Sequence, residues 1–167
     1  MEIRIAGTVQ DSIVDGPGLR YVVFTQGCPH HCGGCHNPET HDFTGGKLTD
    51  TDKLYEECVE NPLTRGVTFS GGEPFCQAEA LYELGTRLKQ RGLHLMAYSG
   101  WTFEELQKKS EREEYVGKLL NILDVLVDGR FELSKRSLML KYRGSENQRI
   151  VDVQQSLAEN CVIEVEI

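Results

Sequence analysis

The chain reads as an α/β protein: an incomplete, laterally open β/α barrel built on a mostly parallel sheet. Strand, loop and helix succeed one another about four times, which favours parallel strands joined by right-handed crossovers. At 167 residues the chain is too short for a closed eight-unit barrel, which takes about 250. The unusual loops also fall in one kind of place. Cysteines follow the first core strand, Gly-Gly-Glu-Pro the second, Tyr-Ser-Gly-Trp the third and Asp-Gly-Arg the fourth. Those are strand C-terminal ends, where such folds gather their chemistry. One domain over residues 1–167 is expected from this length.

Residues 2–9 alternate apolar and polar, as a partly exposed strand does. The turn-rich segment DSIVDGPG follows, and then YVVFTQG (21–27), a β-branched and aromatic run that reads as a buried strand. Residues 50–60 form a helix with Leu54, Cys58 and Val59 on one face. GVTFSGG (66–72) is the next strand. Residues 77–91 place Leu81, Leu84 and Leu88 at helical spacing, with Gly92 as a stop. LHLMAYSG (93–100) is a strand, and Thr102 with Glu105 makes a capping box for the helix after it. A further helical stretch runs to about Leu123, and VLVDG (125–129) is the fourth core strand. RIVDV (149–153) and CVIEVEI (161–167) also read as strands. In the last, Val162, Glu164 and Glu166 share one face and Ile163, Val165 and Ile167 the other, as in an edge strand or terminal hairpin.

Eighteen basic against 26 acidic residues give a net charge of −8, the wrong sign for a protein that coats nucleic acid. No apolar run approaches the roughly 18 residues of a membrane span, and MEIRIAGTVQD lacks the basic and apolar regions of a leader. With 39% apolar and 26% charged residues, the composition is that of an ordered fold. Six cysteines are present, three of them within eight residues. That clustering, without a leader, points to a reducing, cytoplasmic setting and a metal site rather than a disulfide framework.

Cys28, Cys32 and Cys35 have the spacing C-x3-C-x2-C. Three thiolates on one tight loop reach three corners of an iron–sulfur cubane; a fourth would close it for electron transfer. No fourth cysteine lies at a matching distance, so one iron is left open to a ligand. Zinc is the competing reading, with His30, His31 or His36 as fourth ligand. Ser70-Gly71-Gly72-Glu73-Pro74, Asp128-Gly129-Arg130 and Asp15-Gly16-Pro17-Gly18-Leu19-Arg20 are the other segments with chemical character. Cys58, Cys76 and Cys161 are scattered and read as structural.

CPHHCGGCHN (28–37) resembles the signature of the radical S-adenosylmethionine superfamily, with Gly34 where an aromatic residue is usual. The Gly-Gly-Glu-Pro segment on the next strand exit matches the same family. Asp128-Gly129-Arg130 is similar to the D-x-K segment of its glycyl-radical-enzyme activases, and Asp15 to Arg20 to the D-G-x-G-x-R of that subgroup. The small size and Arg143-Gly144-Ser145-x-Asn147-Gln148-Arg149 most resemble the activases of anaerobic ribonucleotide reductase. The similarity covers roughly residues 10–131.

The resemblance implies that Cys28, Cys32 and Cys35 hold a [4Fe-4S] cluster whose open iron is chelated by S-adenosylmethionine. Glu73 and the Gly71-Gly72 backbone would take the methionyl ammonium, and Arg130 the carboxylate. Asp128 would meet the ribose or orient Arg130. Gly34, Cys35, His36 and Asn37 would run along the adenosine, with Tyr98 and Ser99 bordering the same opening. Asp15 and Arg20 would face the incoming glycine loop. Ala97 replaces an Asp that helps bind a monovalent cation in a longer relative, which removes that design of cation site. The implied partners are a large glycyl radical enzyme, anaerobic ribonucleotide reductase, and a reduced flavodoxin or similar electron donor. Two alternatives stand beside this reading: the activase of another glycyl radical enzyme such as pyruvate formate-lyase, and a zinc-stabilised binding module without catalysis.

Overall fold

The computed structural model describes residues 1–167. Seven strands form one sheet: β1 (Glu2–Ser12), β2 (Arg20–Thr25), β3 (Lys47–Asp50), β4 (Gly66–Gly71), β5 (His94–Ser99), β6 (Val125–Asp128) and β7 (Arg149–Asp152). Their order across the sheet is β3-β1-β2-β4-β5-β6-β7. The four central strands, β2, β4, β5 and β6, are parallel. β1 runs antiparallel to both β2 and β3, and β7 antiparallel to β6. The sheet does not close, so the expected open, mostly parallel architecture is what the chain adopts.

Five helices complete the fold: α1 (Thr51–Glu60), α2 (Ala78–Gln90), α3 (Phe103–Lys109), α4 (Glu114–Ile122) and α5 (Val153–Glu159). Side-chain caps mark three of their starts. Asp50 accepts from Asp52 N at α1, Thr102 and Glu105 form the full capping box at α3, and Asp152 accepts from Gln155 N at α5. None is long and apolar enough to cross a membrane.

Period-two alternation divides each central strand between two environments. Val23, Val67, Phe69, Leu95, Ala97 and Leu126 join Leu54, Leu81, Leu84, Leu88, Leu106 and Leu119 in one core of 25 buried residues between sheet and helices. The alternate residues face the concave side. Met96, Val125 and Val127 form a small second cluster there, with Tyr98, Tyr142 and Ile150 packed against it. A cavity opens on the same side, lined by Phe24, Ser70 and Gly71 among others, which makes it the place for a site.

Three elements differ from the sequence reading. β3 has no apolar alternation to announce it; it is an exposed edge strand on β1. α5 begins at Val153, where the sequence suggested the end of a strand, because Asp152 caps a helix there. Residues 161–167 are not a regular strand. They lie beside β7 through one bridge, Val151 to Glu164, with Asp152 N donating to Ile163 O and Val165 N to Ile150 O. The edge position was anticipated; the regular pairing does not form, because Ile163 N is taken by Ser156 Oγ of α5.

Candidate cluster and cofactor site

The first two central strands end side by side, and their exits are stitched together. Gly72 N donates to Thr25 O and Glu73 N to Gly27 O, both at 2.8 Å. Gly71 has φ +95°, and a Cβ on it would lie 2.4 Å from Thr25 N. Only glycine allows this approach, and it sets the Gly-Gly-Glu-Pro turn against the root of the cysteine loop.

Cys28, Cys32 and Cys35 line one small cavity of about 100 Å³ with Gly71, Gly72, Ser99 and Gly100. Burial pushes the Cys28 thiol above its usual range, a cost that bonding to a metal offsets. No three His, Cys, Asp or Glu side chains converge as ligands of a single metal ion. A zinc ion would need its thiolates together at about 2.3 Å, whereas a cubane spreads them over three irons. The histidines are engaged elsewhere: His30 with Glu73, His31 edge-on to His41, His36 against Phe131. Three thiols from one loop around one cavity are a donor set that fits a three-thiolate cluster.

Glu73 is fully buried. Its Oε1 accepts from Gly100 N at 2.8 Å and Ser99 Oγ at 2.9 Å, and lies 2.6 Å from His30 Nε2. Oε2 accepts from Phe75 N at 3.0 Å. Ser99 is thus brought to the site as a support for Glu73.

Beside this cavity opens a larger one of about 490 Å³ on the concave face. Cys35, His36 and Asn37 border it from the cysteine loop, Ser70 and Gly71 from β4, Tyr98 from β5, and Phe131, Tyr142 and Gln148 from the segment flanking β6 and β7. Asp15 is also on its wall, held by Ser12 Oγ. Gly34, at φ +72°, has Leu133 Cδ1 3.0 Å from where its Cβ would be. The space an aromatic residue would need at that position belongs to Leu133. Tyr98 donates to Tyr142 O at 2.7 Å, and its burial raises the phenol above its ordinary range.

Three expected site residues are placed otherwise. Arg130 is half-exposed, its nearest carboxylate Glu105 at 3.9 Å. The arginine that meets Asp128 is Arg149, which faces it across the β6–β7 register and also holds Glu104. Asp128 in turn accepts from Phe103 N at 2.7 Å. Asp128 therefore organises a strand end rather than orienting Arg130. Arg20 is fully buried at the N-terminal ends of the strands, away from the cysteines. It donates to Thr68 Oγ1, Pro17 O, Val67 O and His94 O, and burial lowers its pKa to about 10. It faces no incoming loop. Sequence reasoning gave His30 and Arg149 no such partners; only the strand register and the loop's path reveal them.

Residues 14–151 match the family model for a 4Fe-4S single cluster domain. The chain belongs to the 4Fe-4S single-cluster family. Within that family it is 34% identical over 146 residues to the anaerobic ribonucleoside-triphosphate reductase-activating protein of Vibrio cholerae serotype O1, covering 83% of this chain and 90% of that protein. The protein of the same name from Enterobacteria phage T4 is 31% identical over 143 residues, 82% of this chain and 86% of the relative. The pyruvate formate-lyase-activating enzyme of Clostridium pasteurianum is 36% identical over 117 residues, 65% of this chain; the match spans only 49% of that longer enzyme. Among solved structures, QueE from Escherichia coli superposes with a TM-score of 0.51 at 19% identity, over 60% of this chain and 54% of QueE, and shares the fold. This family member is a radical S-adenosylmethionine protein, and its cofactors are a [4Fe-4S] cluster and S-adenosylmethionine.

Proposed function

We propose that the protein is the activating enzyme of an anaerobic ribonucleoside-triphosphate reductase, on which it installs a glycyl radical. The observation that carries this reading is the match over 90% of an activating protein of that name, in a chain whose three clustered thiols share one cavity. The match to pyruvate formate-lyase-activating enzyme covers about half of that protein, so the shared part is the radical-generating part.

In this reading Cys28, Cys32 and Cys35 hold the cluster. When bound, the cluster and S-adenosylmethionine together supply a 5′-deoxyadenosyl radical by reductive cleavage of a carbon–sulfur bond. The chain's task is placement and exclusion of water. Glu73 presents a buried carboxylate to the methionyl ammonium, from a turn whose glycines admit close approach. Gly34 to Asn37 flank the adenosine along the larger cavity, and Asp15 stands on its far wall, toward a substrate glycine. Arg130 is not assigned to the cofactor. All six cysteines are free, which supports a reducing cytoplasmic setting, with a reduced flavodoxin or similar protein as the electron donor.

The test is anaerobic reconstitution, reduction, addition of S-adenosylmethionine and mixing with candidate partners. A glycyl doublet in the electron paramagnetic resonance spectrum with the reductase is expected. A doublet with pyruvate formate-lyase and none with the reductase would reassign the partner while leaving the radical chemistry in place. Cys28→Ala, Cys32→Ala and Cys35→Ala each abolish cleavage; Cys161→Ala leaves it intact.

A further inference from the structure

His30 lies between two of the cluster-binding cysteines in sequence and lines the same small cavity as they do, and its ring reaches across to the Gly-Gly-Glu-Pro turn. It is almost wholly buried, as is Glu73, and its Nε2 is 2.6 Å from Glu73 Oε1. A carboxylate oxygen accepts, so the tautomer that satisfies this contact is the one with its N–H at Nε2. The ring is seated on both sides. Trp101 meets it edge-on with ring centroids 4.6 Å apart. Gly100 lies so close that a Cβ there would be 2.3 Å from His30 Cδ2. The other donors to Glu73 all come from strand exits or from its own turn: Ser99 Oγ, Gly100 N and Phe75 N. His30 is the one donor that comes from the cysteine loop.

We infer that His30 is a positioning residue, which fixes the Glu73 carboxylate toward the cofactor ammonium and ties the cysteine loop to the cofactor-binding turn. The inference rests on the proposed role of Glu73. Without His30 the carboxylate is held by Ser99 Oγ and Gly100 N on Oε1 and by Phe75 N on Oε2, all of them from strand exits or its own turn and none from the cysteine loop. The imidazole on Oε1 adds the tie to that loop, and Trp101 and the absent side chain of Gly100 leave the ring only one seat. Position 100 is glycine for the same reason: a methyl group there would push the ring off the carboxylate.

The experiment uses the reconstituted holoenzyme and three readouts: iron content, S-adenosylmethionine affinity, and the change that S-adenosylmethionine causes in the resonance spectrum of the reduced cluster. His30→Ala is expected to keep the iron of the wild type, to lose about tenfold in affinity and to blunt the spectral change. His30→Gln carries an amide N–H to about the place of Nε2 and restores most of both. Gly100→Ala behaves like His30→Ala. The inference is overturned if His30→Ala binds S-adenosylmethionine as tightly as the wild type or more tightly, the latter meaning that the ring blocks the ammonium. Equal loss in His30→Ala and His30→Gln overturns it, since the ring would then only fill space, and so does loss of iron in His30→Ala. Glu73→Gln separates the two levels of the argument. Unchanged affinity in that variant removes Glu73, and His30 with it, from the cofactor; reduced affinity there with an unaffected His30→Ala sinks the role of His30 alone.

Discussion

Arg20 shows at the scale of one side chain why residue type and position do not fix a role. In sequence it stands in a Gly-rich segment just before the cysteine strand, and reads as a loop residue facing a substrate. In the fold it is the first residue of β2, with its guanidinium shared among four oxygens and closed from solvent. Arg20→Ala would strand Val67 O and His94 O without that donor, at a cost of about 3 kcal/mol. For a chain of this size that lowers the melting temperature by about 6–12 °C. An unchanged melting temperature with impaired activation would return Arg20 to the substrate side. Cys58 is a second buried group with a measurable signature. Burial raises its thiol well above an ordinary value of about 9. The folded state therefore holds a proton that the unfolded chain gives up. The stabilisation is complete below about pH 9 and is lost as pH rises above it, by at most about 1.4 kcal/mol per pH unit. Anaerobic melting of the wild type should fall between pH 8 and 10 more steeply than that of Cys58→Ala; parallel slopes would show that the thiol does not ionise on unfolding. The cysteine triplet and Gly-Gly-Glu-Pro were legible because their chemistry is local. His30 and Arg149 were not, because each acquires its role from a partner 43 and 21 residues away.

Helices were legible where a cap or an apolar period shows in the sequence, as at α1, α2 and α3, and the central strands where apolar runs end in glycine. The edges were harder. β3 exposes Lys47 and Leu48 and buries no residue fully, and the turn from β7 into α5 depends on the single cap Asp152. The pairing of β6 with β7 was also hidden, although it decides which arginine meets Asp128. Residues 128 and 149 face each other in register, and Arg149 then reaches Glu104 at the start of α3. Three elements are clamped by that one guanidinium, and the two carboxylates hold it above its usual pKa. Arg149→Ala leaves the buried Asp128 carboxylate with only Phe103 N, and is expected to cost about 2–4 kcal/mol. Arg130→Ala, removing an exposed side chain, should stay within about 0.5 kcal/mol. Thermal melting of the two holoproteins checks the contrast. Equal effects would mean that the clamp is no stronger than a surface pair, and weakened cofactor binding in Arg130→Ala would restore its sequence-based role.

Over the whole molecule, charge is distributed unevenly in a way that bears on the partner. The chain carries −8, yet residues 130–146 hold five basic side chains, Arg130, Lys135, Arg136, Lys141 and Arg143, against Glu132 and Glu146. Arg143 borders the larger cavity; Lys135, Arg136 and Lys141 are exposed beside Leu138 and Met139, which are 84% and 94% open to solvent. Exposed basic and apolar side chains on the segment that carries Arg143 to the cavity suit a docking protein with an acidic surface, and such charges act mainly on the rate of encounter. Raising salt from about 50 to about 300 mM shortens the Debye length from about 14 to about 6 Å. Glycyl radical formation on the reductase should then slow by about tenfold, while cleavage of S-adenosylmethionine without the partner changes less than about twofold, because no docking of two proteins precedes it. The triple variant Lys135→Glu, Arg136→Glu, Lys141→Glu should activate slowly at low salt and lose most of the salt dependence. If its activation falls with salt as steeply as that of the wild type, the reductase meets another face of the protein. If partner-free cleavage shows the same salt dependence, the effect lies in the cofactor site and not in docking.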